Sequence, residues 1–301
     1  MESQSSEQQT FLKPPEMNKL IENIPFQVYT ESEGINASGL KDVLRSPAHY
    51  YDHRFNRIKE KDSDALEFGK LFHYAVLEPG LFKANHVIEP VFEAPTQKGD
   101  MSTRSKAALE MKADWWGALK PGAIVVKSKW IDQLLIMSDK ILNHKTASRI
   151  LASGVREATM WWNDVQTEEL SKLRADFVSQ KFGMIDLKTS TDAREDKFWR
   201  DCQKYMYDVS AAHYLEGAKA TGVCRHDAFT FIVCEKDPPY EIAVYPAGAS
   251  ILAYGGRKRD KGMKIYSECR KTNVWPGYNQ LAKTLEYPDW LMNQELFSDE
   301  T

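Results

Sequence analysis

The stretch Arg174-Ala175-Asp176-Phe177-Val178-Ser179-Gln180-Lys181-Phe182-Gly183-Met184-Ile185-Asp186-Leu187-Lys188-Thr189 decides the reading of this chain. Two apolar runs flank a short polar turn that ends in glycine, the pattern of a β-hairpin. Residues two apart on a strand project to the same side, so Asp186 and Lys188 point together. The turn returns the first strand beside the second and brings Asp176 next to Asp186. Two carboxylates and one amine therefore converge on one point. Close carboxylates repel, and a hard divalent cation relieves that repulsion. A lysine beside them can orient a water for attack on a phosphodiester.

Outward from this hairpin the pattern alternates between helix and strand. Strand-like runs cover 157–164, 173–179 and 182–188, followed by one long amphipathic helix over about 196–220. Two more strands cover 228–234 and 241–245, and a last helix about 249–270. Upstream, Asn36-Ala37-Ser38 offers a cap to a short helix through Leu40, Val43 and Leu44. Ser46-Pro47 ends it and begins another, and Gln27-Val28-Tyr29 reads as a strand. A charged loop over 57–64 leads to a helix over 65–77, stopped by Pro79-Gly80, and further helices cover 107–119 and 130–142. Helices mixed with strands in this order predict an α/β domain with a mixed sheet. Residues 1–25 are polar and proline-containing and read as a flexible leader, 26–292 as a single domain and 293–301 as a tail.

The chain has 301 residues, 42% of them hydrophobic, enough for a sizeable core. Its net charge of −3 excludes a protein that coats nucleic acid by bulk attraction, though not one with a local basic track. That track lies in the last helix. Residues 253–271 hold seven Lys or Arg against two acids, with Arg257, Lys258, Arg259 and Lys261 at its centre. Such a stripe suits the phosphate backbone of DNA, which needs little base readout. Tyr50, Tyr51 and Trp199 are aromatic candidates for stacking on frayed ends. No run reaches the ~18 apolar residues of a membrane helix, and Met1 to Thr10 lacks the apolar core of a secretory signal. Cys202, Cys224, Cys234 and Cys269 are spaced by 22, 10 and 35 residues, so they predict reduced structural thiols in a cytoplasmic protein.

Four segments in order resemble the RecE-type exonucleases (exodeoxyribonuclease VIII and phage relatives) of the PD-(D/E)xK nuclease superfamily. They are Ser46-Pro47-Ala48-His49-Tyr50, the run from Phe68 to Pro79, the hairpin through Thr191, and the run from Tyr207 to Gly217. Trp275-Pro276 also fits. The resemblance implies a restriction-endonuclease-like core, a central mixed sheet flanked by helices. It implies Asp176 and Asp186 as metal-binding carboxylates, Lys188 as the catalytic lysine and His73 as the histidine facing the site. Glu157 and the Leu187 carbonyl would be additional ligands. The implied cofactor is Mg2+, with Mn2+ able to substitute.

The implied activity is 5′-to-3′ digestion of linear double-stranded DNA that leaves 3′ overhangs for recombination. The implied assembly is a ring-shaped homo-oligomer, a trimer or tetramer, on double-stranded DNA ends with a single-strand annealing protein as partner. One feature departs from the family. Its supporting helix carries Gln-x-x-x-Tyr, whereas the aligned positions here are Ser210 and Tyr214. Gln203 and Tyr207 repeat the spacing earlier on the same expected helical stripe, with Gln203 roughly 10 Å before Ser210. The competing expectations are a non-catalytic DNA-end-binding protein on the same fold, an endonuclease, and an iron–sulfur nuclease, the last disfavoured by the cysteine spacing.

Overall fold

The structure is a computed structural model that describes residues 11–56, 63–223, 228–278 and 281–289. Strand β1 (Leu20–Ile21) precedes helices α1 (Phe26–Glu31), α2 (Ala37–Arg45), α3 (Pro47–Arg54), α4 (Asp64–Leu77) and α5 (Pro79–Asn85). A peripheral region follows with strands β2 (His86–Glu89), β3 (Ala94–Pro95), β4 (Met101–Ser102) and β5 (Ile124–Lys127) and helix α6 (Lys106–Gly117). Helices α7 (Ile131–Asn143) and α8 (Lys145–Leu151) lead into β6 (Val155–Asn163), β7 (Leu170–Ser179) and β8 (Gly183–Ser190). Helices α9 (Glu195–Lys204) and α10 (Tyr207–Thr221), strands β9 (Phe229–Glu235) and β10 (Ile242–Pro246) and the long α11 (Ala249–Thr272) complete it.

The central sheet runs β1-β6-β7-β8-β9-β10. Its pairings are antiparallel except β8 with β9, which is parallel because α9 and α10 carry the chain across one face between them. It is thus the mixed sheet flanked by helices that the sequence predicts. On one face Phe72 of α4 and Leu134, Met137 and Ile141 of α7 pack on Phe177, Ile185, Leu187 and Ile232. On the other, Phe198 of α9 and Ala211 and Leu215 of α10 pack on Trp162, Leu173, Ala175 and Phe231. A third cluster joins α2, α3, α10 and α11 through Leu40, Val43, Tyr50, Val209 and Met263. At Gly255 an added Cβ would lie 2.1 Å from the Asp208 carbonyl oxygen, so glycine lets α11 close onto α10. No helix among the described residues is long and apolar enough to cross a membrane.

Several local expectations need correction. Gln27-Val28-Tyr29 is helical, part of α1, whose C-terminal carbonyls are capped by two cations. Buried Lys172 donates to the carbonyls of Tyr29 and Ser32 at 2.6 and 2.7 Å, and Arg54 donates to those of Thr30 and Ser32. Within the expected leader, Leu20 and Ile21 belong to the sheet, pairing with Met160 and Thr159. Residues 1–10, most of the loop over 57–64 and the tail over 293–301 lie outside the described residues. The single helix over 196–220 is two helices. Met206 adopts left-handed backbone at φ 50°, which ends α9 and starts α10 on a new axis. The shared stripe of Gln203, Tyr207, Ser210 and Tyr214 is therefore broken. Cys202, Cys234 and Cys269 are buried free thiols, and Cys224 lies outside the described residues.

Candidate active site

The hairpin is built as its sequence predicts. Gly183 takes φ 79° at the end of the turn, and an added Cβ there would lie 2.1 Å from the Ala228 carbonyl oxygen. Two demands, a left-handed backbone and close approach to the strand entering β9, therefore require glycine. Strands β7 and β8 pair through Ser179↔Gly183, Val178↔Met184 and Phe177↔Ile185, and there the ladder stops. The next opposed residues are Asp176 and Asp186. In place of the ladder bond, the Leu187 amide donates to the Asp176 Oδ2 at 2.7 Å. The strands part around a carboxylate.

Glu157 completes the row. It lies between the pairs Arg156↔Phe177 and Ala158↔Ala175, opposite Asp176, and takes φ 50°. Three acids thus occupy one register position across three adjacent strands. Glu157 also accepts from the Arg174 Nε at 2.5 Å. Burial and then the Asp176 charge nevertheless raise its pKa above the ordinary carboxylate value. Burial raises that of Asp176 as well, with Asp186 adding to it against the opposing pull of His73 and Lys188.

Lys188 points the same way as Asp186, as the strand period requires. Its Nζ lies 2.5 Å from the Asp186 Oδ2 and donates to the Leu187 carbonyl at 3.3 Å. Burial opposes the ammonium charge, but Asp186 and Asp176 outweigh it and hold the Lys188 pKa above its ordinary value. The buried Asp186 Oδ2 is thus held by the Lys188 ammonium. From α4, the His73 Nε2 sits 3.0 Å from the Leu187 carbonyl and 3.6 Å from the Asp176 Oδ2. Facing a carbonyl, that nitrogen carries the proton and donates.

Two tyrosines from α10 close the other side. Tyr214 donates its hydroxyl to the Arg174 carbonyl at 3.0 Å, which supports β7 beside the carboxylate row. The Tyr207 ring lies 5.0 Å from the Lys188 Nζ and 5.4 Å from the Lys41 Nζ. Burial, followed by the Lys188 charge, lowers the Lys41 pKa to about 8. Lys41 was invisible to sequence reasoning because no local pattern pairs α2 with α10, which lie more than 160 residues apart. Ser210 is buried in α10, and it is Tyr207 that meets Lys188. Gln203 is exposed on α9 and does not reach it.

The basic stripe on α11 is divided by the fold. Arg259 is buried and bonded to Asp164 and Asp260, so it serves the core and does not face DNA as the sequence suggests. Lys258 pairs with Asp208 at 3.0 Å. Arg257 and Lys261 are exposed. Tyr50 is buried against Trp275 and Tyr266, whereas Trp199 stands exposed.

Among the described residues no three His, Cys, Asp or Glu side chains are gathered into a ready metal cage. The donor chemistry still fits a hard divalent cation. Two opposed carboxylates, Asp176 and Asp186, lie beside the backbone carbonyl of Leu187, all hard oxygen donors. Asp176, Asp186 and the Leu187 carbonyl would hold such an ion directly. Glu157 and His73 stand behind them.

The sequence matches the family model of a PDDEXK-like domain of unknown function (DUF3799) over residues 36–287. Among solved structures, the crystal structure of a "Putative exonuclease" from Eubacterium rectale superposes with a TM-score of 0.57 at 17% identity. The superposition covers 92% of this chain and 99% of that one. At that identity the likeness speaks for the fold. No curated protein sequence matches the chain.

Proposed function

Because the chain belongs to the PDDEXK-like family, we propose that it is a metal-dependent nuclease that hydrolyses phosphodiester bonds in DNA. One observation carries the reading: the ladder between β7 and β8 stops where Asp176 and Asp186 oppose each other, with Lys188 paired to Asp186. A divalent ion bound there supplies charge to neutralise a phosphate and lowers the pKa of a water.

The remaining work falls to side chains. Lys188, held charged by the acids, offers its ammonium protons to the scissile phosphate region and orients the attacking water. His73 and the Asp176–Leu187 bond fix the Leu187 carbonyl and amide, and with them the direction of the Asp186 and Lys188 side chains. Arg174 anchors Glu157 beside Asp176. Tyr207 limits where the Lys188 ammonium can swing.

The finer reading is a 5′-to-3′ exonuclease on linear duplex that leaves 3′ overhangs for recombination. Its proposed form is a ring-shaped oligomer working with a single-strand annealing protein. It is supported by the order of the RecE-like segments along the chain, and Mg2+ or Mn2+ is its proposed cofactor. The test is incubation of 5′-labelled linear duplex and a closed circle of the same sequence with either metal. Mononucleotide release from the linear substrate alone is expected. Equal cutting of the circle would replace the exonuclease with an endonuclease.

A further inference from the structure

Beside the carboxylate row, α9, β10 and the start of α11 enclose an open groove of about 640 Å³. Its walls are aromatic and aliphatic, among them Phe198, Trp199, Tyr245, Ile251 and Tyr254. Trp199 and Tyr254 are 49% and 47% exposed, and Tyr205, outside the groove lining at the end of α9, is 46% exposed. Rings this open on a folded surface offer apolar area to a ligand.

Each of these rings carries a cation. Arg200 lies 5.4 Å from the Trp199 ring, Lys204 4.9 Å from that of Tyr205, and Arg257 5.7 Å from that of Tyr254, which Lys258 also approaches at 4.8 Å. Among the described residues none of Arg200, Lys204 and Arg257 has a carboxylate partner. Of the acids in the groove lining, Asp208 is already paired with Lys258, which leaves Glu195. Alternating ring faces and unpaired positive charges match a single nucleic-acid strand, whose bases stack while its phosphates are neutralised. A duplex hides its base faces and would leave the rings unused. An apolar peptide would leave the cations unused.

The groove borders the proposed site, because Phe231 in its lining sits opposite Asp186 in the register of β8 and β9. Tyr205 stacks on Tyr207 with centroids 5.6 Å apart, and Tyr207 carries the Lys188 ammonium on its ring. We propose that this groove binds the unpaired bases of one DNA strand and guides that strand to the Asp186–Lys188 site, an inference that rests on the nuclease reading for the strand's destination.

The test measures binding without cleavage, in a Lys188→Ala background. A fluorescein-labelled oligothymidylate of about 12 nucleotides is compared by anisotropy with an abasic oligonucleotide of equal length, which keeps the phosphates but lacks bases. Trp199→Ala and Tyr254→Ala should each weaken oligothymidylate binding about 10-fold and leave abasic binding unchanged, as loss of a stacking platform requires. Trp199→Phe should restore most of the loss, since it keeps a ring. Equal binding of the two oligonucleotides, or unchanged oligothymidylate binding by Trp199→Ala, would overturn the proposal. The two readings fail separately. A chain that cuts DNA but shows no base-dependent binding loses the groove alone. A chain that binds through Trp199 but cuts nothing loses the nuclease.

Discussion

The Asp176 carboxylate accepts the Leu187 amide proton at 2.7 Å, so a side chain on one strand takes the place of a backbone bond between two. This bond holds β7 and β8 apart by the width of a carboxylate and sets Asp176 against Asp186. Asp176→Asn keeps an acceptor oxygen for the Leu187 amide. It should fold with wild-type cooperativity while losing divalent-ion binding. Asp176→Ala leaves the partly buried amide unpaired and should cost about 1–3 kcal/mol in addition. Urea unfolding with and without Mg2+ separates the two effects. Equal stability of the variants would contradict the structural role of the bond.

His73 reaches the site from α4 and donates to the Leu187 carbonyl. If the Leu187 carbonyl is a ligand of the proposed metal, His73 orients it and should matter for affinity more than for folding. His73→Ala should weaken Mn2+ binding about 10- to 100-fold, the usual range for such supporting partners. Isothermal titration reads this directly, and unchanged affinity would remove His73 from the site.

Arg259 sits at the centre of the basic run but is buried with Asp164. Arg259→Met strands the buried Asp164 charge and should destabilise by about 3–5 kcal/mol. Lys261→Ala on the exposed side should leave stability within about 0.5 kcal/mol and weaken DNA binding in a salt-dependent way. Thermal melts and binding isotherms at two salt concentrations check the contrast.

His213 is fully buried on α10, with its Nε2 donating to the Lys172 carbonyl at 3.1 Å and its Nδ1 unpartnered. Burial, followed by the nearby Arg259 charge, lowers its pKa to about 3. The folded value lies below the unfolded one of about 6.5. Its contribution to stability is therefore full above about pH 6.5 and is lost as pH falls towards 3. His213→Gln has no such titration. Its unfolding midpoint in urea should fall less between pH 7.5 and 4.5 than that of the wild type.

The hairpin and its chemistry are legible in the sequence because both are local. Strand alternation aligns Asp186 with Lys188, and a short turn ending in Gly183 sets Asp176 opposite. The helix stop at Pro79 and the cap at Asn36, whose side chain accepts from the Gly39 amide, are local as well. What escapes is what tertiary contact decides. Met206, in left-handed backbone, breaks a helix whose amphipathic pattern runs on unbroken. Arg259 reads as surface charge until Asp164, 95 residues earlier, is folded against it. Tyr29 lies in a helix because a buried lysine on β7 caps it, and no window of neighbouring residues contains that lysine.

We propose Asp186 and Lys188 as the hydrolytic pair. The most direct measurement is the rate of nucleotide release from labelled linear duplex with Mg2+, for the wild type beside Asp186→Asn and Lys188→Ala. Metal-dependent release by the wild type and a loss of at least about 100-fold in each folded variant are expected. Release that persists in both variants at the wild-type rate would contradict this assignment.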